Sequence, residues 1–238
     1  MNANRKLAVV TGVIFIIATA ASLLAAALTP ALTGADYLAR ISAQTVRTAG
    51  GASLHLLAAF ASVGVAVALY PVLKQRNAGL ALGSVVFRTL EAAFYMVAVV
   101  SLLSLLTLGR QFAAAGAAAY PSLQAVGDML VSVRGHAALL GVFAFGVGAL
   151  LYYWVFFQSR LIPRWLAGWG IAAVILMMAA CGLALFSDTL ITGYALLMLP
   201  IFLQEMVLAV WLIAKGFNSP AAAPAAPAAA PQALLGAA

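Results

Sequence analysis

Charge is what this sequence has least of. Its 238 residues include 12 lysines and arginines and 5 acids, 7% charged in all against 66% hydrophobic. A soluble domain carries about 25% charged residues, so a water-soluble globule is excluded and the chain belongs in a bilayer. Cysteine is nearly absent too. The single Cys181 has no second cysteine to pair with and no metal-ligand companion at a standard spacing. That excludes an internal disulfide and a cysteine metal centre, and leaves Cys181 as a small buried apolar residue. The sequence also lacks a nucleophile elbow, a Walker loop, a dinucleotide fingerprint and a metalloprotease helix signature. An ordinary soluble-type enzyme is not expected, and no cofactor or metal is assigned. The net charge of +7 does not signify nucleic acid, because the basic residues sit in separate short loops and form no dense patch.

What is abundant is long apolar runs. Leu7–Thr29, Thr48–Leu73, Leu80–Leu108, Gly135–Phe157, Trp165–Phe186 and Tyr194–Ala214 each reach about 30 Å or more at 1.5 Å per residue, enough to span. The first run exceeds the about 7 to 15 residues of a signal-peptide core and is read as a retained helix. The expected fold is all-α: a polytopic bundle of six transmembrane helices over residues 1–217, with residues 218–238 an uncharged, disordered Ala/Pro tail. Thr33 and Asp36 suggest a capping box. Tyr37, Leu38, Ile41 and Thr45 share one face, which predicts a short interfacial helix. Pro121 opens a helical stretch that leads into the fourth span. Ala58, Ser62 and Ala66 read as small residues for close helix packing. Tyr152, Tyr153, Trp154, Trp165 and Trp169 read as an aromatic belt at the headgroups.

Orientation follows from the basic residues. Arg5, Lys6, Lys74, Arg76, Arg160, Arg164 and Lys215 fall on one side with no acid among them, while Arg40, Arg47, Arg110 and Arg134 share the other with Asp36, Asp128 and Asp188. The positive-inside rule then puts both termini in the cytoplasm, facing anionic headgroups as the expected lipid partner.

The scarce charge inside the spans marks the candidate site. Ser84, Arg88, Glu91 and Tyr95 recur at steps of four, three and four and line one helical face of the third span. An Arg or acid at a membrane helix centre costs roughly 2.5 to 3.5 kcal/mol, so the stripe should turn inward to polar partners. Counting from the helix ends, Glu91 lies about 16 Å from the cytoplasmic face and Glu205 of the sixth span about 15 Å, one turn from Arg88. This level match predicts a cluster of Arg88, Glu91 and Glu205, with Gln204 and Tyr95 beside it. Arg preceding Glu by three is the poorer orientation within one helix, which favours Arg88 reaching across to Glu205 or bridging both acids. His55 and His136 lie nearer the outer side as weaker candidates for pH sensing or metal binding. Pro200 frees the carbonyl of Leu196 and suggests a pocket or kink in the last span.

Asn4-Arg5-Lys6, the run from Ala66 to Lys74, Phe87-Arg88-Thr89-Leu90-Glu91-Ala92, the run from Leu161 to Gly170 and the run from Glu205 to Ile213 together resemble the bacterial membrane proteins of domain of unknown function 4386. The resemblance covers nearly the whole chain to about Asn218. It implies a multi-pass protein of the bacterial inner membrane, with no activity to carry over. The expected roles are a non-enzymatic accessory or structural membrane protein held by the polar cluster, a small proton- or cation-linked solute transporter using Glu91 and Glu205, and, third, an intramembrane enzyme.

Overall fold

A bilayer gives a backbone N–H or C=O no hydrogen-bond partner outside the chain, so long apolar runs in lipid fold as helices. The computed structural model describes residues 3–115, 119–187 and 190–218. Its elements are α1 (Ala3–Leu28), α2 (Tyr37–Ala43), α3 (Thr45–Leu73), α4 (Ala78–Ala114), α5 (Tyr120–Ser159), α6 (Arg164–Leu185) and α7 (Ala195–Ala214), with a 3₁₀ turn at Ile191–Tyr194 before α7. No strand occurs among the described residues. All but α2 are long and apolar enough to cross a membrane, which makes six spans. Asp188 and the tail from residue 219 onward lie outside the described residues.

The spans stand in a ring. Each packs on its neighbours in sequence, α1 on α3, α3 on α4, α4 on α5, α5 on α6 and α6 on α7, and α7 closes back on α1. As a result α4 and α7 face each other across the ring. Large apolar side chains such as Leu23, Val67, Val100, Ile175 and Val210 are exposed on its outside, the surface that lipid covers. Cys181 is buried, as expected of a small apolar residue.

α1 begins and α7 ends on one face, called here the terminal face. Gly216, at φ 79°, stops α7 there in a backbone conformation that glycine adopts without strain. The carbonyls left over at that end are taken by Arg5, which donates to Leu212 O at 3.0 Å, Ile213 O at 2.6 Å and Ala214 O at 3.2 Å. A cation at a helix C-terminus also offsets the dipole. Arg5→Ala should therefore fray the last turn of α7, costing about 1 kcal/mol of local stability. Amide exchange over residues 212–216 reads this; exchange as slow as in the parent protein would refute the tie.

On the opposite face α4, with 37 residues, and α5, with 40, outrun their apolar stretches. At 1.5 Å per residue both exceed the about 30 Å hydrocarbon core. The predicted end at Leu108 was set by hydropathy, whereas a helix continues through polar residues wherever neighbours support it. Here Ser101 Oγ donates to Leu130 O at 2.6 Å and Arg134 Nη1 to Ala98 O at 2.8 Å, joining the two helices. The predicted interfacial helix is α2, which buries Tyr37, Leu38 and Ile41 against Leu105, Leu106 and Leu108 of α4. Tyr37 donates to Asp128 Oδ1 of α5 at 3.0 Å. Burial, with help from that carboxylate, pushes the Tyr37 phenol above its usual range. The expected capping box is absent: Asp36 makes no side-chain cap bond and pairs instead with Arg40 at 2.9 Å.

Candidate functional site

The polar stripe of α4 points into the ring. Ser84, Arg88 and Glu91 are buried, and Arg88 is only 2% exposed. α5 makes room for the guanidinium with a glycine: a Cβ on Gly148 would sit 3.2 Å from both Arg88 Cγ and Phe87 Cβ. Phe145, one helical turn from Gly148, places its ring 4.4 Å from Arg88 Cζ, a cation–π contact with a buried guanidinium.

Arg88 Nη1 lies 3.2 Å from Glu91 Oε2 on its own helix. The expected reach across to Glu205 is not made. Arg88 and Glu205 belong to helices on opposite sides of the ring, and the i,i+3 pair on α4 is within reach even in its less favourable orientation. Glu91 gains a second partner from α3, since Ser62 Oγ donates to the same Oε2 at 2.7 Å. Glu205 is held from α5, where Tyr152 donates to its Oε1 at 3.4 Å. The next residue pair makes a parallel link, with Tyr153 donating to Gln204 Oε1. Gln204 in turn donates to Leu166 O of α6 at 3.1 Å.

Between these groups lies a cavity of about 80 Å³, lined among others by Ser22 of α1, Ser62 of α3, Arg88 of α4, Phe145 of α5, Met177 of α6 and Glu205 of α7. Every span thus supplies part of its wall. Glu91, Tyr95 and Thr19 line it too, and the space suits a few waters or a small solute. While Arg88 Nη1 is held in the ion pair with Glu91, Arg88 Nε is buried with no hydrogen-bond partner, as is Ser84 Oγ. Such groups are uncommon in a settled core, where buried polar atoms are paired.

A family model described as "Domain of unknown function (DUF4386)" matches residues 10–216. The chain belongs to this family. No match to a curated protein or to a solved structure is found. The matched stretch of this DUF4386 member holds every one of the polar candidates, and stops short of Arg5 and the Ala/Pro tail.

Some candidates of the DUF4386 chain lie away from the cavity. Gln204 is fully buried yet turns toward α5 and α6, where it ties three helices together. His136 is exposed and pairs with Ser132 of its own helix at 3.3 Å. His55 is half-buried and does not line the cavity. Among the described residues no group of three His, Cys, Asp or Glu side chains forms that could hold a metal.

Tyr152 and Tyr153 are not part of an interfacial belt; both are 0% exposed and spend their hydroxyls on Glu205 and Gln204, while Trp154 and Trp165 do face outward. Two adjacent residues on a helix differ by about 100° in direction, so both tyrosines face inward on neighbouring lines and Trp154 faces out. Ser62 is more than a packing residue, because it bonds Glu91. A depth count reveals it: Ser62 precedes Leu73 by as many residues as Glu91 follows Leu80, so each lies about 16 Å from its helix end. Ser22 and Thr19 carry no comparable sequence signal.

Proposed function

We propose that this protein is a small proton- or cation-linked solute transporter of the bacterial inner membrane, with Glu91 and Glu205 as the groups that take and release the ion. The observation that carries the reading is the midplane cavity, which has Arg88 and Glu91 on one wall and Glu205 on the opposite one. One guanidinium faces two carboxyl groups there, so ionisation of both acids leaves a net negative site that a proton or small cation completes. A midplane site built from several helices is also where membrane carriers hold their ions. The asymmetry of basic residues supports a cytoplasmic terminal face.

A second reading, a structural or accessory protein held by an interhelical staple, is favoured by the hydroxyl–carboxylate bonds from Ser62 to Glu91 and from Tyr152 to Glu205. A staple needs only satisfied hydrogen bonds, however. The unpartnered Nε of Arg88 favours a site that accepts something.

The test is ion flux into proteoliposomes under a potassium diffusion potential, read with an internal pH dye and repeated with alkali cations. The parent protein should carry current, and Glu91→Gln and Glu205→Gln should each fall to the level of empty vesicles; Glu205→Gln, which leaves the Arg88–Glu91 pair intact, should do so with a melting temperature near the parent's. Flux that survives both changes removes the carboxylates from the mechanism. A parent protein with no flux of any of these ions leaves the staple as the better account.

A further inference from the structure

The terminal face has a second cavity, of about 230 Å³, remote from the midplane and different in chemistry. Arg5, Arg76 and Lys215 line it, with Gln75 as a neutral hydrogen-bonding group and Phe217 and Leu161 as apolar wall. No acid lines it. Among the described residues the acids are Asp36, Glu91, Asp128 and Glu205, none of which is on this face. Three elements contribute the cations: α1, the turn after α3 and the end of α7.

The ends of α3 and α7 by themselves would repel an anion, since carbonyls collect at helix C-termini. Arg5 removes that obstacle by occupying the carbonyls of residues 212–214. Arg76 and Lys215 remain exposed, with no ion pair among the described residues. The wall beside them is fixed, because Asn218 N–H donates to Leu161 O at 2.8 Å and Asn218 Nδ2 to Arg160 O at 2.8 Å. A shaped, acid-free recess with two free cations and an apolar edge suits a tetrahedral oxyanion that carries a greasy neighbour.

We propose that this recess binds a phosphate group, that of an anionic phospholipid headgroup or of a free phosphate, through Arg76 and Lys215, with Arg5 masking the helix end behind it. Basic pockets between membrane helices are a recurrent way of holding anionic lipids. The midplane cluster plays no part, so this site stands or falls independently of the transport reading.

The experiment uses the full chain in a neutral detergent, with native mass spectrometry and thermal unfolding as readouts. Phosphatidylglycerol, phosphatidylcholine and inorganic phosphate are titrated separately into the parent protein and into the double variant Arg76→Gln, Lys215→Gln. Both residues are exposed, so the variant should fold normally. The expected result is one saturable phosphatidylglycerol per chain that raises the melting temperature, no such effect of phosphatidylcholine, and roughly thirty-fold weaker binding by the double variant, from about 1 kcal/mol per cation. Stabilisation by inorganic phosphate that the double variant loses identifies a free phosphate as the occupant instead, and keeps the site. Equal binding by parent and variant, or no binding of either phosphate source to the parent, overturns it.

Discussion

Arg88→Leu is expected to remove most of the folded yield of this protein and to lower its melting temperature in detergent by about 6 to 20 °C, the equivalent of about 3 to 5 kcal/mol. The change leaves Glu91 buried with only Ser62 as partner, and takes the guanidinium from a cavity that also faces Glu205. Taking one member from a buried ion pair is costly because the survivor stays desolvated and unpaired. Removing both is much cheaper. The double variant Arg88→Leu, Glu91→Leu should recover most of the yield, since apolar residues of similar volume replace the pair and Ser62 can bond back to its own helix. Parent-like yield and melting temperature for Arg88→Leu would show that the pair does not hold the bundle.

The second large effect arises at Gly170, outside the cavity. A Cβ built there falls 2.5 Å from Tyr153 Cε1 and 2.6 Å from Cδ1, so Gly170→Ala must displace the aromatic ring. Overpacking costs typically about 1 to 3 kcal/mol. Moving the ring also breaks the Tyr153–Gln204 bond and leaves a buried polar group unpaired, about 1 to 3 kcal/mol more. The loss should be strongly coupled to the ring: in a Tyr153→Leu background the same glycine change is expected to cost little. A double-mutant cycle on thermal unfolding measures the coupling. Additive losses would mean that Gly170 matters for some reason other than the room it gives Tyr153.

These two sites differ in how readable they are from residues alone. Arg88 and Glu91 stand out because charge inside an apolar run is expensive, and the steps of three and four place them on one inward face. Gly170 sits in a helix with several other small residues and nothing local marks it. Its importance comes from Tyr153, which is distant in the pair's geometry from what the sequence suggests, since a Tyr-Tyr-Trp run near a basic turn has the composition of a headgroup belt. Only the burial of both tyrosines separates the two inward rings from the outward Trp154.

The same division runs through the fold. Number and order of spans, the short helix after the first, and the common depth of Glu91 and Glu205 follow from local physics: hydrocarbon thickness fixes helix length, and rise per residue fixes depth. Depth is one coordinate of three, however. Which wall of the ring each helix occupies is set by side-chain packing between segments far apart in sequence, and that decided that Arg88 pairs with Glu91 on its own helix while Glu205 looks at it from across a cavity. Sequence alone determined that charge is carried into the apolar spans and how far from the helix ends; the closure of α7 onto α1 decided that Glu205 faces the Arg88–Glu91 pair across a space instead of touching it, because six helices packed in a ring leave their inward side chains a gap that no pairwise spacing rule contains.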